Sequence, residues 1–383
     1  MERTYSIITE KNCEKLTLKE LKERFKIEGT IGEGFVDFTS NNEKALRVCY
    51  FSQSAKRIII KIGAGNFKDL EELADNIKKD ITANKEWIQF LASNYRITCT
   101  RKGAHEFNSV IVEQEISGII KQEIENKGLN SVADYNTKEL VFFVNVDEDN
   151  YLFGIDYSGK DLSKRHYLFF NNPIAVKGTL AFNCLLFSDY KPGRVLLDCF
   201  ALAGVIPIEA ALYEKNLSVH AFSKEFYFPQ KIKKANEELL KKIEEEVQEN
   251  KFNNIFSTDA SFPNLSAQKK NSRIAGIEKN IAFSRTDIQN LDIKNFKKDI
   301  DFVCSRIIEP SKKVNEKKAI KMYEDFFYSA KEFLKKSGTI TFIVRQYELL
   351  EEVAKKYDFV VIEKLETAQG QQNFFFVKFK KKK

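Results

Sequence analysis

The sequence predicts an α/β protein built from more than one domain. At 383 residues the chain is long enough for two or three domains, each burying its own core. From residue 194 onward, strand patterns alternate with helical patterns, and such alternation predicts a parallel sheet covered by helices on both faces. The first 165 residues instead mix short β-branched runs with segments of helical spacing, which predicts an α+β region.

The composition indicates a folded, non-membrane protein. Hydrophobic residues make up 43% and charged residues 31% of the chain, which is typical of globular proteins. There is no apolar run of about 18 residues, and the N-terminus "MERTYSIITEKNCEK" has no apolar core, so a membrane span and secretion are both disfavoured. The six cysteines form no C-x-x-C pair, so we expect reduced thiols in a cytoplasmic protein, with no metal site.

The net charge allows a polyanionic partner without requiring one. The formal charge of +7 arises from 62 Lys and Arg against 55 Asp and Glu. Such an excess favours nucleic acid only if the cations lie on one face, and a lysine-rich surface explains the charge equally well. The terminal "KFKKKK" likewise has two interpretations, a nucleic-acid contact and a frayed basic tail.

The first half of the chain divides into two predicted modules and a connection. Residues 1–90 carry the strand patterns "TYSIIT", "EGFVDFT" and "RIIIKIG" beside two helical ones. Residues 91–168 begin with the strand "YRITCT" and the basic turn "RKGAHEFNS", followed by a helix and the strands "ELVFFVNVDED" and "NYLFGIDYSG". Residues 169–193 form a linker containing Pro173 and then a helix.

The second half, residues 194–383, carries the alternating pattern. We predict its strands at "RVLLDCF", "LSVHAFS", "NIAFSRTD", "IDFVCSRII" and "GTITFIV", with "FVVIEKLE" and "NFFFVKFKKKK" as a final pair. The segment from Lys231 to Asn250 is charged at i,i+4 spacing and is predicted to be a solvated surface helix. In open sheets of this kind, ligands bind beyond the carboxyl ends of the strands.

Several consecutive motifs resemble one family. The string "YRITCTRKGAHEFNSVIVEQEISGII" resembles the core of a THUMP domain, an RNA-binding module of tRNA-modifying enzymes. The similarity continues through "FGIDYSGKDLSKRHY" and "NPIAVKGTLA" to the strand-loop-helix pattern "VLLDCFALAGVIPIEAALY". This order resembles the THUMP-type, S-adenosylmethionine-dependent tRNA guanine-N2 methyltransferases. The resemblance implies a ferredoxin-like domain at 1–90, a THUMP domain at 91–168, a linker and helix at 169–193, and a Rossmann-like class I methyltransferase domain at 194–383.

The resemblance implies tRNA as the partner, and two basic loops supply candidate contacts. Cations on such loops can follow a phosphate backbone, and structured RNA is read mainly through shape and backbone. For any single residue, scattered surface charge is the alternative interpretation. The candidate RNA-binding residues are Arg96, Arg101, Lys102, His105, Lys164 and Arg165.

The resemblance also implies S-adenosylmethionine as the cofactor. Its predicted contacts are Asp198, Phe200 and Gly204 after the first strand of the second half, Ser223 after the next, and Asp287 after the third. Two features argue against a complete pocket. Leu202 stands where the family has glycine, and its side chain would occupy space that the cofactor must enter. Ser223 stands where the family has a carboxylate, with Glu225 as a displaced substitute.

The expected catalytic loop departs furthest from the family. Family members follow the fourth strand with an N-P-P-Y or D-P-P-Y type loop, whose oxygens accept the hydrogens of the guanine amine. Here Arg306 and Ile307 follow the strand, and an arginine has donors only. A shifted register would instead use Glu309 as the acceptor and Pro310 as the stiff element. The candidate catalytic positions are therefore Arg306, Glu309 and Pro310.

Two functions remain open at this point. One is an active methyltransferase that transfers a methyl group to a guanine exocyclic amine. The other is a catalytically impaired, tRNA-binding pseudo-methyltransferase or scaffold subunit, which implies a partner protein. The sequence decides neither the tRNA nucleotide, nor the oligomeric state, nor whether a partner chain completes the site.

Overall fold

The computed structural model describes residues 2–222, 225–245, 253–291, 299–312 and 314–382. Over these residues the chain forms an eight-stranded sheet in its first half and a seven-stranded sheet in its second. None of the described helices has the length and apolar character needed to cross a membrane. Within the same residues, no group of three or more His, Cys, Asp or Glu side chains is placed to hold a metal ion.

The first sheet runs through the whole N-terminal half in the order β2-β3-β1-β4-β8-β7-β5-β6. Because β4 pairs antiparallel with β8, the sheet continues across residue 90, and both predicted modules share one hydrophobic core. Its strands are β1 Glu2–Ile8, β2 Thr30–Gly32, β3 Phe35–Asn41, β4 Arg57–Asn66, β5 Asn94–Lys102, β6 Val132–Ala133, β7 Val141–Asp147 and β8 Asn150–Asp156. Its helices are α1 Glu14–Phe25, α2 Asn42–Phe51, α3 Leu70–Ala83 and α4 Ser109–Asn126. The strands predicted in this half are confirmed.

The second sheet has the order β11-β10-β9-β12-β13-β15-β14. Strands β9 to β13 are parallel, and β15 runs antiparallel to both of its neighbours. Its strands are β9 Leu196–Asp198, β10 Ile255–Asp259, β11 Ile281–Arg285, β12 Ile300–Arg306, β13 Leu334–Val344, β14 Phe359–Gln369 and β15 Gln372–Lys381. Its helices are α5 Gly178–Phe187, α6 Val205–Lys215, α7 Gln230–Glu245, α8 Phe262–Ile274, α9 Glu316–Phe333 and α10 Glu348–Lys356. Short 3₁₀ turns occupy Glu86–Phe90, Glu278–Asn280 and Ile288–Asn290.

The strand order places a switch point between β9 and β12. The chain lays down β9, β10 and β11 in one direction across the sheet, then returns to add β12 on the other side of β9. The loops after β9 and β12 therefore part in opposite directions and leave a crevice at the carboxyl ends of these strands. Open parallel sheets bind ligands in such crevices.

One predicted strand is wrong, and the strand that takes its place was missed. "LSVHAFS" was predicted as the second strand of this sheet, but residues 217–222 form no strand, with turns at 219–222, and Ser223 lies outside the described residues. Its polar residues are buried against the N-terminal half, where Ser218 donates a hydrogen bond to the carbonyl oxygen of Tyr50. The second strand is β10, "IFSTD", in which the buried Ser257 donates to the side chain of Gln268 on α8 at 2.8 Å. This strand was not predicted because its polar composition is not typical of a buried strand. Its polar side chains find their hydrogen-bond partners only in the folded chain.

Helix α7 was predicted as a solvated surface helix over residues 231–250, of which 246–250 lie outside the described residues. Most of its described residues are exposed, but the prediction missed a buried face. Leu240 and Ile243 belong to the core of the N-terminal half. On the same helix, Asn236 is fully buried and accepts a hydrogen bond from Asn42 at 2.7 Å. The helix is therefore amphipathic, and it joins the second half of the chain to the first.

A buried ion pair lies at the junction of the two halves. The Arg165 and Glu209 side chains are fully buried, with Nε and Oε1 2.7 Å apart. Arg165 also donates to the carbonyl oxygens of Gln53 at 2.6 Å and Leu162 at 2.5 Å. Glu209 accepts further hydrogen bonds from the Tyr167 hydroxyl at 2.6 Å and the Gln53 amide at 2.7 Å. The pair thus connects the loop after α2, the segment after β8 and helix α6.

A second buried carboxylate holds the same loop from its other side. Glu20 of α1 accepts hydrogen bonds from the hydroxyls of Ser52 at 2.7 Å and Ser54 at 2.6 Å. It also accepts from the backbone N–H of Gln53 at 2.9 Å. The loop 52–54 is therefore fixed between Glu20 and Arg165, and the two halves meet across a hydrogen-bonded polar layer.

Removing the arginine should destabilise this junction. Arg165→Met leaves the buried Glu209 carboxylate without its counter-charge, so we expect the free energy of unfolding to fall by about 3–5 kcal/mol. Urea unfolding can be followed by the fluorescence of Trp87, the one tryptophan of the chain and buried in the N-terminal core. Adding Glu209→Gln should recover part of the loss because no unpaired charge remains. The exposed Arg273→Met is the matched control, with an expected change below about 1 kcal/mol. Equal losses in Arg165→Met and Arg273→Met would contradict the role of the buried pair.

Candidate functional site

A cavity of about 500 Å³ lies at the carboxyl ends of the second sheet. Its lining includes Phe200 after β9, Asp259 at the end of β10, Asp287 after β11 and Ile308 after β12, with Met322 on α9. Carboxylates thus face an apolar wall, and Asp325 with Lys318 and Lys321 of α9 adds further charged groups to the lining. Such a combination suits a nucleoside, because the base can pack on apolar side chains while carboxylates accept the ribose hydroxyls.

Asp259 is a functional candidate that the sequence reasoning missed. It ends β10, the position at which the resemblance expects the ribose-binding carboxylate and for which Ser223 was predicted. Its Oδ1 accepts from Ser261 N at 2.8 Å and its Oδ2 from Leu202 N at 3.0 Å, while burial raises the pKa of this carboxyl group. The string "TDASFP" could have predicted this position, because it contains a helix start: Ser261 caps α8 and Pro263 lies in its first turn. The aspartate is therefore at a strand-to-helix boundary.

Asp198, predicted as a cofactor contact, is instead held inside the fold. It ends β9 and is only 1% exposed. Its Oδ1 accepts hydrogen bonds from the Ser305 hydroxyl of β12 at 2.7 Å and from Phe200 N at 3.2 Å. Burial raises the pKa of Asp198 to about 7, although both hydrogen bonds act in the opposite direction. The residue links β9 to β12 and does not line the cavity.

The turn that joins β9 to α6 keeps its shape without several of its glycines. Leu202 and Gly204 both adopt left-handed conformations, with φ of 50° and 82°. The Leu202 carbonyl oxygen accepts from Gln268 at 3.3 Å, and its side chain is only 4% exposed. A Cβ atom on Gly204 would lie 3.1 Å from the Gln268 side chain, so this glycine allows close packing of α6 against α8.

These residues fit one part of S-adenosylmethionine and not the other. Asp259, Asp287 and the apolar wall fit the adenosine part. Residues 201–204 do not contribute to the cavity lining, and the buried Leu202 stands where the resemblance requires glycine. The strand-loop-helix turn therefore does not fit the amino-acid part of this cofactor.

The predicted catalytic positions bind one another. Arg306 ends β12, and its guanidinium donates to Glu309 Oε2 at 2.6 Å and to the carbonyl oxygens of Ile307 at 2.8 Å and Ile343 at 2.9 Å. Burial lowers the pKa of the Arg306 guanidinium, and Glu309 opposes that shift. Glu309 is buried, with 8% of the residue exposed. Its Oε1 atom also accepts a hydrogen bond from the backbone N–H of Arg345, directly after β13, at 2.7 Å. Pro310 follows directly and is exposed.

Three of the predicted RNA-binding residues come together where β5 ends, Arg101 and Lys102 in its last two positions and His105 in the turn that follows; residues 101–105 are called the turn after β5 below. Arg101 donates to the Gly103 carbonyl oxygen at 2.9 Å and lies 2.8 Å from His105 Nδ1. Arg101 and Lys102 line a groove of about 230 Å³. The same two residues line a second cavity of about 410 Å³, so the two depressions are adjacent. Gly370 in the β14–β15 turn lines that second cavity, so the groove joins the two halves of the molecule.

The other three predicted RNA contacts lie elsewhere. Arg96 is half-buried near the start of β5, roughly 17 Å of strand from Arg101. Lys164 is exposed in the segment after β8. The prediction that Arg165 contacts RNA is wrong for this structure, because its guanidinium is fully enclosed by Glu209 and backbone carbonyl groups.

The strand order and the crevice define a Rossmann-like class I methyltransferase fold. The pattern of the RMKL-like, methyltransferase domain matches residues 165–373, which is more than half of the chain. The protein therefore belongs to the RMKL-like methyltransferase family.

Its curated relatives are RNA methyltransferases. The tRNA (guanine(6)-N2)-methyltransferase of Methanocaldococcus jannaschii is 27% identical over 363 residues, which covers 92% of this chain and 91% of that protein. The ribosomal RNA large subunit methyltransferase K/L of Alteromonas mediterranea is 26% identical over 196 residues, covering 49% of this chain and 27% of that enzyme. The family thus consists of S-adenosylmethionine-dependent RNA methyltransferases.

Two solved structures share the fold over the whole chain. The possible methylase from Clostridium difficile 630 has a TM-score of 0.78 at 20% identity, covering 100% of this chain and 99% of that one. SMU.472, solved in complex with SAH, has a TM-score of 0.76 at 18% identity with the same coverage of both chains. At these identities the likeness concerns the fold.

The buried Asp198 should make stability depend on pH. Its pKa is about 7 in the folded chain and about 3.9 when unfolded, so the folded state keeps a proton that the unfolded state has lost. This stabilisation is fully present below about pH 4 and is lost progressively as the pH rises to the folded pKa of about 7. We therefore expect the free energy of unfolding to fall by about 2–3 kcal/mol more between pH 5 and 9 in the wild type than in Asp198→Asn.

The asparagine retains an Oδ1 atom for both hydrogen bonds and cannot ionise. Urea unfolding at a series of pH values measures the difference, and near-ultraviolet circular dichroism at pH 6 controls for intact packing. Parallel pH profiles of the two proteins would show that Asp198 does not titrate as inferred.

Proposed function

We propose that this chain is a tRNA-binding member of the family whose C-terminal domain no longer methylates a guanine amine. The observation that carries the proposal is the buried pairing of Arg306 with Glu309 at the end of β12. We further propose that the N-terminal half comprises a ferredoxin-like unit at 1–90 and a THUMP unit at 91–168, joined by 169–193 to the methyltransferase domain at 194–383. The chain would act in the cytoplasm.

Methyl transfer to guanine N2 requires acceptors, and several of those at this strand end are already hydrogen-bonded within the protein. The amine is a poor nucleophile because its lone pair is delocalised, and acceptors oriented toward its hydrogens lower the barrier. Here the Ile307 carbonyl oxygen accepts from Arg306, and the Ile308 carbonyl oxygen accepts from the Tyr323 hydroxyl at 3.0 Å. The Glu309 carboxylate binds Arg306 and the backbone of β13.

Binding of tRNA is supported by the turn after β5. Arg101, Lys102 and His105 lie together there, and the groove they border extends to the β14–β15 turn of the other half. A phosphate backbone in this groove would contact both halves of the protein. The relative from Methanocaldococcus jannaschii, which aligns over 92% of this chain, makes tRNA the first RNA to test.

The second candidate function is active methyl transfer to RNA. It is favoured by three carboxylates, Asp198, Asp259 and Asp287, which follow or end three adjacent strands at the carboxyl edge. The family's chemistry also belongs to this candidate. Its difficulty is that the Glu309 carboxylate and the carbonyl oxygens of Ile307 and Ile308 are already hydrogen-bonded within the protein.

Methyl transfer can be tested directly on RNA. Purified protein is incubated with methyl-labelled S-adenosylmethionine and unmodified tRNA transcripts, and the digested nucleosides are analysed by mass spectrometry. We expect no N2-methylguanosine above the protein-free level, while the Methanocaldococcus jannaschii relative run in parallel gives a signal. A labelled nucleoside that disappears with Asp287→Ala would establish the second candidate instead.

RNA binding can be tested with matched double substitutions. Arg101→Ala with Lys102→Ala should weaken tRNA binding about tenfold and reduce the slope of log affinity against log salt by about 1–2, because two phosphate contacts are lost. Filter binding at several salt concentrations measures both quantities. The control double variant, Lys355→Ala with Lys356→Ala, removes the same charge from α10. We expect it to change neither the tRNA affinity nor the salt slope by more than about twofold. Equal effects of the two double variants would contradict a specific role for the turn after β5.

A further inference from the structure

The cavity at the strand ends has a polar side and an apolar side that correspond to a nucleoside. The Asp287 carboxylate is exposed and, within the described chain, makes no capping bond to the turn that follows it. Asp259 lies at the neighbouring strand end, and both residues line the cavity. Ile288, Ile308 and Met322 supply the apolar side, and Lys318, Lys321 and Asp325 of α9 also line the cavity. A purine can pack on the apolar side while the carboxylates accept the ribose hydroxyls.

The side of the cavity toward α6 is closed by the protein itself. Leu202, in its left-handed conformation, buries its side chain, and the space beside Gly204 is taken by Gln268. The Leu202 N–H is bonded to Asp259 Oδ2 at 3.0 Å, so the turn is fastened to a carboxylate that also faces the cavity. The closed turn is therefore part of the hydrogen-bonded fold.

A charged amino-acid tail would gain little at this end. The ammonium and carboxylate groups of such a tail must lose their hydration on entering, and this costs free energy unless polar partners replace the water. Asp198, the buried carboxylate nearest in sequence to the turn, already accepts from Ser305 and Phe200 and does not line the cavity. Residues 201–204 do not line the cavity, and the charged groups Lys318, Lys321 and Asp325 of its lining lie on α9, not on this turn.

We infer that the cavity is a site for adenosine or an adenosine with a small 5′ substituent, and that the amino-acid tail of S-adenosylmethionine contributes nothing to binding. This inference rests on the proposed function, because it gives a ligand to a methyltransferase domain that does not transfer methyl groups. The recognised chemistry is a purine nucleoside with free ribose hydroxyls. Binding such a nucleoside would stabilise the domain that is joined to the RNA-binding half.

A ligand series on the full-length wild-type protein tests the inference. Isothermal titration calorimetry is performed with S-adenosylmethionine, S-adenosylhomocysteine, 5′-methylthioadenosine, adenosine and methionine. We expect the four nucleosides to bind within about threefold of one another, and methionine to give no heat. In Asp287→Ala all four nucleosides should weaken by at least about tenfold, because a ribose acceptor is lost.

Leu202→Gly is the complementary variant. Glycine adopts the same left-handed conformation without strain and opens space at the closed end. We expect S-adenosylmethionine and S-adenosylhomocysteine to gain at least about tenfold in affinity, with 5′-methylthioadenosine changing by less than threefold. Unchanged binding of 5′-methylthioadenosine also shows that the variant is folded.

Two results with the wild-type protein would overturn the inference without any variant. One is binding of S-adenosylmethionine or S-adenosylhomocysteine at least tenfold more tightly than 5′-methylthioadenosine. The other is the absence of binding by every nucleoside. Detection of methylated tRNA would instead refute the proposed loss of methyl transfer. Because methylation is measured in a separate assay, failure of the proposed function can be distinguished from failure of the nucleoside inference.

Discussion

The buried pair of Arg165 and Glu209 determines how the two halves of this protein meet. Placing two charges in a dry interior is expensive, and it is tolerated here because Gln53, Leu162 and Tyr167 complete the hydrogen bonds of both groups. The pair touches the loop after α2, the segment leading out of the first sheet and helix α6. Because α6 begins at the turn after β9, the same contact sets the position of the candidate pocket relative to the basic turn after β5.

The departures from the family at the strand ends form a connected set. Where the resemblance expects glycine, Leu202 donates its N–H to Asp259, and where it expects an acceptor loop, Arg306 pairs with Glu309. Asp198 bonds to Ser305 on the neighbouring strand. In each case, a polar group at a strand end is hydrogen-bonded within the protein, and of these carboxylates only Asp259 also lines the cavity. A fold can therefore keep its shape after its ligand contacts have been replaced by internal ones, since buried polar groups must be paired in either case.

Much of the fold followed from the chain's periodicity, whereas its polar strand did not. Hydrophobic alternation identified β1, β4, β7 and most of the parallel sheet, because their apolar residues face cores formed by the same half of the chain. Strand β10 was missed since Ser257 and Thr258 are buried within it, and the partner of Ser257, Gln268, lies 11 residues away on α8. Helix α7 was misjudged because its apolar face packs on the other half of the molecule.

The sequence by itself determined the fold class, the family resemblance and the basic turn around Arg101, because these depend on local patterns and on the order of motifs. It also located Leu202 and Arg306 as departures at the expected strand ends. Only the tertiary structure showed that Asp259 ends the second strand, that Arg165 is buried and that Arg306 is held by Glu309. Burial and partner choice depend on which segments meet in space, and a one-dimensional pattern does not encode the distance between residues remote along the chain.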